Sequence, residues 1–174
     1  VPAPALHVTG TVDVDGAVTS IDGLGAAARI YGHGNAKRWG WLHADLGDGD
    51  VIEVVSAVST RPGLRALPPL TFLKLRLDGE DLPAVPLAAF GLKSRLGAPT
   101  WTIHGRVRGT TADLRVDLPA DRCVSIPYVD PDGATATCTN TERANLDLRI
   151  TRRDGTERRW RLTGTAHAEV GTRP

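Results

Sequence analysis

The sequence predicts an all-β fold, an antiparallel barrel or sandwich of about nine or ten short strands with at most one short helix. Three observations carry this. Segments of strand length alternate apolar and polar side chains, as in Thr111–Leu118, where Ala112, Leu114, Val116 and Leu118 fall on one face. Hairpin dipeptides recur between such segments, as Asp15-Gly16, Asp78-Gly79 and Asp154-Gly155, with Gly47-Asp48-Gly49-Asp50 between two more. The strands lack the intervening helical patterns of a βαβ fold.

Composition sets outer limits. At 174 residues the chain is long enough for one domain with a real core, 1–174, and short for two. Hydrophobic residues at 41% and charged residues at 24% exclude a disordered or fibrous chain. A formal net charge of +1 favours neither nucleic acid nor an anionic membrane as partner. No apolar run reaches the roughly 18 residues of a membrane span, and the opening VPAPALHV is not read as a signal peptide. Compartment is left open. Cys123 and Cys138 allow either a disulfide or two free thiols behaving as small apolar residues.

In chain order, residues 6–14 form a strand bending at Gly10, Ala17–Ile21 returns from the hairpin, and Asp22–Ala28 is a loop. Arg38–Leu46 is a strand with Trp39, Trp41, His43 and Asp45 on one face and Gly40, Leu42, Ala44 and Leu46 on the other. Val51–Val58 is β-branched and suits a strand covered on both faces. The prolines of Thr60–Pro69 make a loop, and Leu70–Leu77 resumes a strand. Prolines 83 and 86 exclude a central strand, and Leu87–Leu96 is expected as two helical turns or a covering loop. Thr100–Arg108 is a strand with Trp101, Ile103, Gly105 and Val107 on one face, turning at Gly109-Thr110. Asn145–Arg152 and Arg159–Val170 complete the set, the latter with Trp160, Leu162, Gly164, Ala166, Ala168 and Val170 together.

The densest chemistry lies in Tyr31–Leu46. If the Trp39–Trp41–His43 face turns inward, it gives an apolar ligand two aromatic walls and one titratable group. The alternative makes both tryptophans core and leaves His43 bonded to a backbone carbonyl. His33, Asn35 and Lys37 precede that strand in a glycine-rich loop that either meets a ligand's polar end or is simply solvated. Glu53, inside VIEVV, points to solvent or is buried as an acid, and Asp45 shares the tryptophan parity. The Asp-Gly turns lack the spacing of a calcium loop, the histidines lack zinc spacing, and no GxSxG motif is present, so no metal or cofactor is expected. The arginines of the last hairpin alternate with acids and read as a solvated surface, not a phosphate-binding one.

Tyr31, Asn35 and Trp39-Gly40-Trp41 resemble the lead-in and Trp-x-Trp strand of tocopherol cyclase-like proteins, relatives of the carotenoid hydratase-like and AttH-like lipocalin-related families. LPPLTFLKLRLDGEDL (67–82), the Trp101 strand, YVDPDG (128–133) and CTNTERANLDLRI (138–150) extend the similarity from about residue 8 to 170. Asn35 is followed here by Ala36, where the family reads closer to Asn-Trp-Gly. The resemblance implies a lipocalin-like barrel corresponding to the second of two. It also implies a hydrophobic isoprenoid- or polyketide-like ligand, with acid-catalysed cyclase, hydratase or isomerase chemistry or a non-catalytic carrier role. On this reading Tyr31, Asn35, Trp39, Trp41, Trp101 and Tyr128 contact the ligand, His43 or His33 supplies the proton, and a second barrel or a homo-oligomer is the protein partner.

Overall fold

The computed structural model describes residues 3–27, 34–82 and 91–174. Strands β1 (Ala3–Val14) and β2 (Ala17–Ala27) form a two-stranded ribbon of their own. A second, larger sheet contains β3 (Ala36–Gly47), β4 (Asp50–Ser59), β5 (Leu70–Leu77), β6 (Glu80–Leu82), β7 (Leu92–Arg95), β8 (Thr100–Val107), β9 (Thr110–Asp117), β10 (Val124–Val129), β11 (Thr135–Thr151) and β12 (Glu157–Thr172). Its order is β6-β5-β4-β3-β12-β11-β9-β8-β7, antiparallel throughout. The long β11 is shared, pairing β10 through 135–140 and β9 through 145–151. Three-residue 3-10 turns at Leu64–Ala66 and Ala120–Arg122 are the helical elements of the described residues.

The hairpin dipeptides do what their chemistry dictates. Asp15-Gly16, Asp48-Gly49 and Asp78-Gly79 each take two consecutive positive φ angles, the type I′ geometry that matches strand twist. The β8–β9 turn has the same geometry at Arg108-Gly109, one residue earlier than the sequence suggests, because Arg108 accepts a φ of 47° without being a turn-forming residue. Two expectations are corrected. Asp22–Ala27 continues β2 and pairs back to Ala3, the ladder running unbroken through Gly10. It is not a loop, since glycine tolerates the approach of Val8, whose Cγ2 sits 3.0 Å from where a Gly25 Cβ would stand. Within Leu87–Leu96, residues 92–95 are strand β7 on β8, where a helix or loop was expected; 83–90 lie outside the described residues.

The sheet curls so that one face of every long strand turns inward. Leu42, Ala44, Ile52, Val54, Leu75, Leu77, Ile103, Leu114, Val116, Leu146, Leu148, Ile150, Ala166 and Ala168 fill the interior. The expected barrel is not closed. β6 and β7 are edges of three and four residues, too short to zip a ladder across the gap, and β7 packs against β5 without pairing to it. Side chains bridge this seam instead. Ser56 Oγ shares a 2.7 Å hydrogen bond with Thr71 Oγ1 and donates to Ser94 Oγ at 3.1 Å. Ser94 Oγ also accepts from Trp101 Nε1 at 2.8 Å. At the end of the sheet near the β3–β4 and β5–β6 turns, buried Asp50 accepts from the Asp78 backbone N–H (2.7 Å) and from Arg158 (2.8 Å), tying the β11–β12 hairpin to both turns.

Ser94→Ala leaves the fully buried Trp101 N–H unpaired at the seam. It should lower stability by about 1–3 kcal/mol, read as a shift of the urea midpoint with the slope unchanged.

Candidate functional site

The inward face of β3 is the small one. Gly40, Leu42, Ala44 and Leu46 are buried in the core, so Trp39, Trp41, His43 and Asp45 stand on the outer face. Sterics explain the choice. A Cβ on Gly40 would lie 2.6 Å from Leu96 Cδ1 and 3.1 Å from the Trp101 ring, so the interior holds Trp101 against bare backbone at this point. On the opposite surface Trp39 lies over Gly171 in the same manner, with ring atoms 2.0–2.4 Å from an imagined Cβ.

Cross-strand register then builds the outer face row by row, because directly opposed residues share a side of the sheet. One row runs Phe72–Val55–Trp41–Glu169–Asn140 across β5, β4, β3, β12 and β11. The row beside it runs Leu70–Ala57–Trp39–Gly171–Cys138–Ile126, reaching β10. Leu70, Phe72 and Val55 remain exposed, so with Trp41, Trp39 and Tyr128 they make an apolar shelf on the outside of the sheet. Bordering the shelf is a third row, Lys74–Glu53–His43–His167, every member of which ionises.

Glu53 resolves the two readings of VIEVV in an unexpected way, being on the outer face and yet only 3% exposed. Its Oε1 lies 3.5 Å from His43 Nδ1, beyond good hydrogen-bond geometry, and neither carboxyl oxygen has a hydrogen-bond partner among the described residues. His43 thus turns Nδ1 toward a buried carboxyl group and leaves Nε2 as its other proton-carrying atom. His167 faces the opposite way. Its Nδ1 is 3.1 Å from Glu142 and its Nε2 3.3 Å from the Asn140 amide nitrogen, so both ring nitrogens are engaged on β11. The Trp41 indole stands edge-on to His167 at 4.6 Å between centroids and lies 6.3 Å from the His43 ring.

The Trp39 end of the shelf is held by Glu169. Trp39 Nε1 donates to Glu169 Oε1 at 3.0 Å, the Cys138 thiol donates to Oε2 at 3.7 Å, and the Trp39 ring stacks on Tyr128 with centroids 6.1 Å apart. Burial, then the Glu169 charge, pushes the Cys138 thiol up to about 12 and raises the Tyr128 phenol, so both remain uncharged donors at neutral pH. Cys123 and Cys138 are free.

Of the residues singled out from sequence, Trp39, Trp41, His43 and Tyr128 come together on this outer face, with Asn35 exposed beyond the start of β3. Trp101 is separate, fully buried in the core. Tyr31 and His33 lie outside the described residues. His167, Glu142, Glu169 and Asn140 escaped sequence reading. Their outward parity is visible in A-H-A-E-V, but their neighbours on β3 are set by strand register. The interior expected to hold a ligand is packed, and at one end of it a partly open cavity of about 210 Å³ lies among the described residues. That is below the roughly 300–1,000 Å³ of ordinary small-molecule pockets. Among the described residues no cluster of three or more His, Cys, Asp or Glu is placed to hold a metal ion.

A half-open antiparallel sheet with an aromatic shelf and imidazole–carboxylate pairs on its outer face defines a class, and the sequence pattern of one family covers it. The chain belongs to the tocopherol cyclase-like family, whose pattern matches residues 5–172. It is similar to two proteins of Mycobacterium tuberculosis, the uncharacterized protein MT0513 of strain CDC 1551 / Oshkosh and the uncharacterized protein Rv0493c of strain ATCC 25618 / H37Rv. Each is 51% identical over 172 residues, covering 98% of this chain and 51% of the relative. The chain therefore spans about half the length of these relatives.

Glu53 and His43 meet as a buried pair with poor mutual geometry, an arrangement that costs stability. The double variant His43→Leu, Glu53→Leu should be as stable as the parent or more stable by about 1–4 kcal/mol, measured by urea unfolding. A clear loss of stability would make the pair structural.

Proposed function

We propose that this chain holds a hydrophobic, alkene-bearing small molecule, isoprenoid- or polyketide-like, against the outer shelf, and that His43 delivers a proton to it. One observation carries the reading: a buried carboxyl group, Glu53, without a hydrogen-bond partner among the described residues, beside an imidazole that borders an exposed aromatic shelf. Protonating an alkene needs a donor next to an apolar surface that keeps water from the cation. Here the His43 Nε2–H bond breaks and a C–H bond forms at one alkene carbon. The adjoining carbon takes the positive charge beside the Trp41 face, which stabilises cations. A hydroxyl oxygen of the substrate then closes a ring, or a water molecule adds. The oxygen releases its own proton, which returns to the bare Nε2 and restores the N–H donor, so no net proton is consumed. Glu53 acts by orienting His43 and fixing which ring nitrogen faces the shelf. The family's name is the second support for a cyclisation.

A second protein surface enters the proposal through the β1–β2 ribbon. Leu6, Val8, Val12, Val14, Val18, Ile21 and Leu24 are all exposed on it. A lone two-stranded ribbon is marginal in water, and a patch this apolar calls for a cover. We infer that the cover is the other half of the relatives' length, a second barrel that also roofs the shelf. A chain extended to that full length should bind the dye ANS several-fold less per molecule than residues 1–174 do. Equal binding would remove this partner.

The ligand reading is tested with a C20 polyprenol as probe and tryptophan emission as signal. Trp41→Ala should weaken binding by roughly tenfold, about 1.4 kcal/mol, while His43→Gln should keep the affinity and abolish conversion of an alkene-bearing polyprenyl quinol. Binding unaffected by Trp41→Ala would overturn the site. Binding that persists without any turnover in the parent would leave a carrier.

A further inference from the structure

A cavity on the interior side lies where the sheet fails to close. Leu73 and Leu75 of β5, Leu82 of β6, Val107 of β8 and Ala112 of β9 make its apolar wall, and Asp81, Arg108 and Thr110 stand at its rim. Its volume of about 210 Å³ is far too small for a long isoprenoid. At the roughly 30 Å³ that a water-sized group occupies in a liquid, it has room for about seven heavy atoms.

The rim is not electrically neutral. Asp81 is already matched, accepting from Arg76 Nε at 2.9 Å and lying 3.4 Å from Lys74 Nζ. The Arg76 hydrogen bond first, opposed by burial and aided by Lys74, holds the Asp81 carboxyl below the usual carboxylate range, so it remains charged and paired. Arg108, like Arg106 and Arg153, differs from most arginines of the neighbouring hairpins. Arg76, Arg115, Arg149, Arg152, Arg158, Arg159 and Arg161 each pair with an aspartate. Arg108 has no hydrogen bond or ion pair among the described residues. A type I′ turn sets its backbone at the cavity mouth, and its side chain is exposed there.

We propose that this cavity is a second binding site, for a short-chain carboxylate of about six to eight carbons, with the chain among Leu73, Leu75, Leu82, Val107 and Ala112 and the carboxylate on Arg108 and Thr110. Arg108 gives two parallel N–H donors, the geometry that suits a planar carboxylate, and Thr110 adds a hydroxyl. The apolar tail gains by leaving water for an apolar wall. The site lies inside the curled sheet, on the opposite side from the aromatic shelf, and does not depend on the function proposed for that shelf.

Titration of the isotope-labelled protein with sodium octanoate, followed by methyl NMR, tests it. The methyl signals of Leu73, Leu75, Leu82 and Val107 should shift saturably, while those of Val55 on the outer face stay fixed. Arg108→Gln should weaken octanoate binding roughly tenfold and leave the weaker binding of octanol unchanged. Ala112→Leu, which fills the wall without touching the rim, should block both. Saturable binding that survives Ala112→Leu, or octanoate and octanol binding equally to the parent, would overturn the proposal, as would the absence of any shift at millimolar octanoate.

Discussion

A strand can offer only two faces, and in β3 that constraint decides everything around it. Trp39, Trp41 and His43 alternate with Gly40, Leu42, Ala44 and Leu46, and only one set can enter the core. The interior takes the smaller set because Trp101 already occupies the space that a side chain on Gly40 would need. Once Trp101 is inside, the large aromatic residues of β3 must lie outside, and the imidazole of His43 goes with them. The outer shelf follows from how the core is filled.

The same constraint separates packing from chemistry. The interior is mostly aliphatic, and the Ser56–Thr71–Ser94 bridge among its few polar groups holds the seam and satisfies the Trp101 N–H. The ionisable row Lys74–Glu53–His43–His167 sits on the other side of the backbone. Two imidazole–carboxylate pairs there face away from one another, His43 toward β4 and His167 toward β11, with the Trp41 ring near both. His167, held at both nitrogens, acts as a prop for Trp41, whereas His43 keeps one nitrogen uncommitted.

Much of the fold was legible. The alternation of Ala112, Leu114, Val116 and Leu118 marks an inward face without ambiguity, and three Asp-Gly pairs fix three hairpins. The resemblance carried by Trp39-Gly40-Trp41 named the family that covers the chain. Other features were hidden for physical reasons. Arg108-Gly109 carries no turn signal at its first position, because arginine reaches left-handed geometry only when the strands on either side impose it. Strand β7 is four residues long and is defined by its partner β8, not by any pattern of its own. Periodicity could not say which face of β3 turned inward, since each contains large apolar residues. The closed barrel was expected from the strand number and from the family resemblance, and the gap between β5 and β7 shows that neither guarantees a ladder. The partners of His43 belong to register, which lies in no local window: Glu53 is ten residues away in sequence and His167 more than a hundred, yet both sit directly across from it.

The two glycines under tryptophans have one more implication. Val170 pairs with Gly40 and Gly171 with Trp39, so the positions where Trp101 rests from within and Trp39 rests from without are diagonal neighbours on adjacent strands. The wall of the sheet is there reduced to bare peptide, with an indole leaning on either side. Elsewhere a load on the outer surface would be spread among interlocking side chains before it reached the core. At this spot it passes through a single layer of backbone, like pressure on a thin diaphragm, and the core indole it meets is anchored by Ser94 at the open seam. At Gly40 and Gly171 the outside and the inside of the sheet are therefore separated by backbone alone.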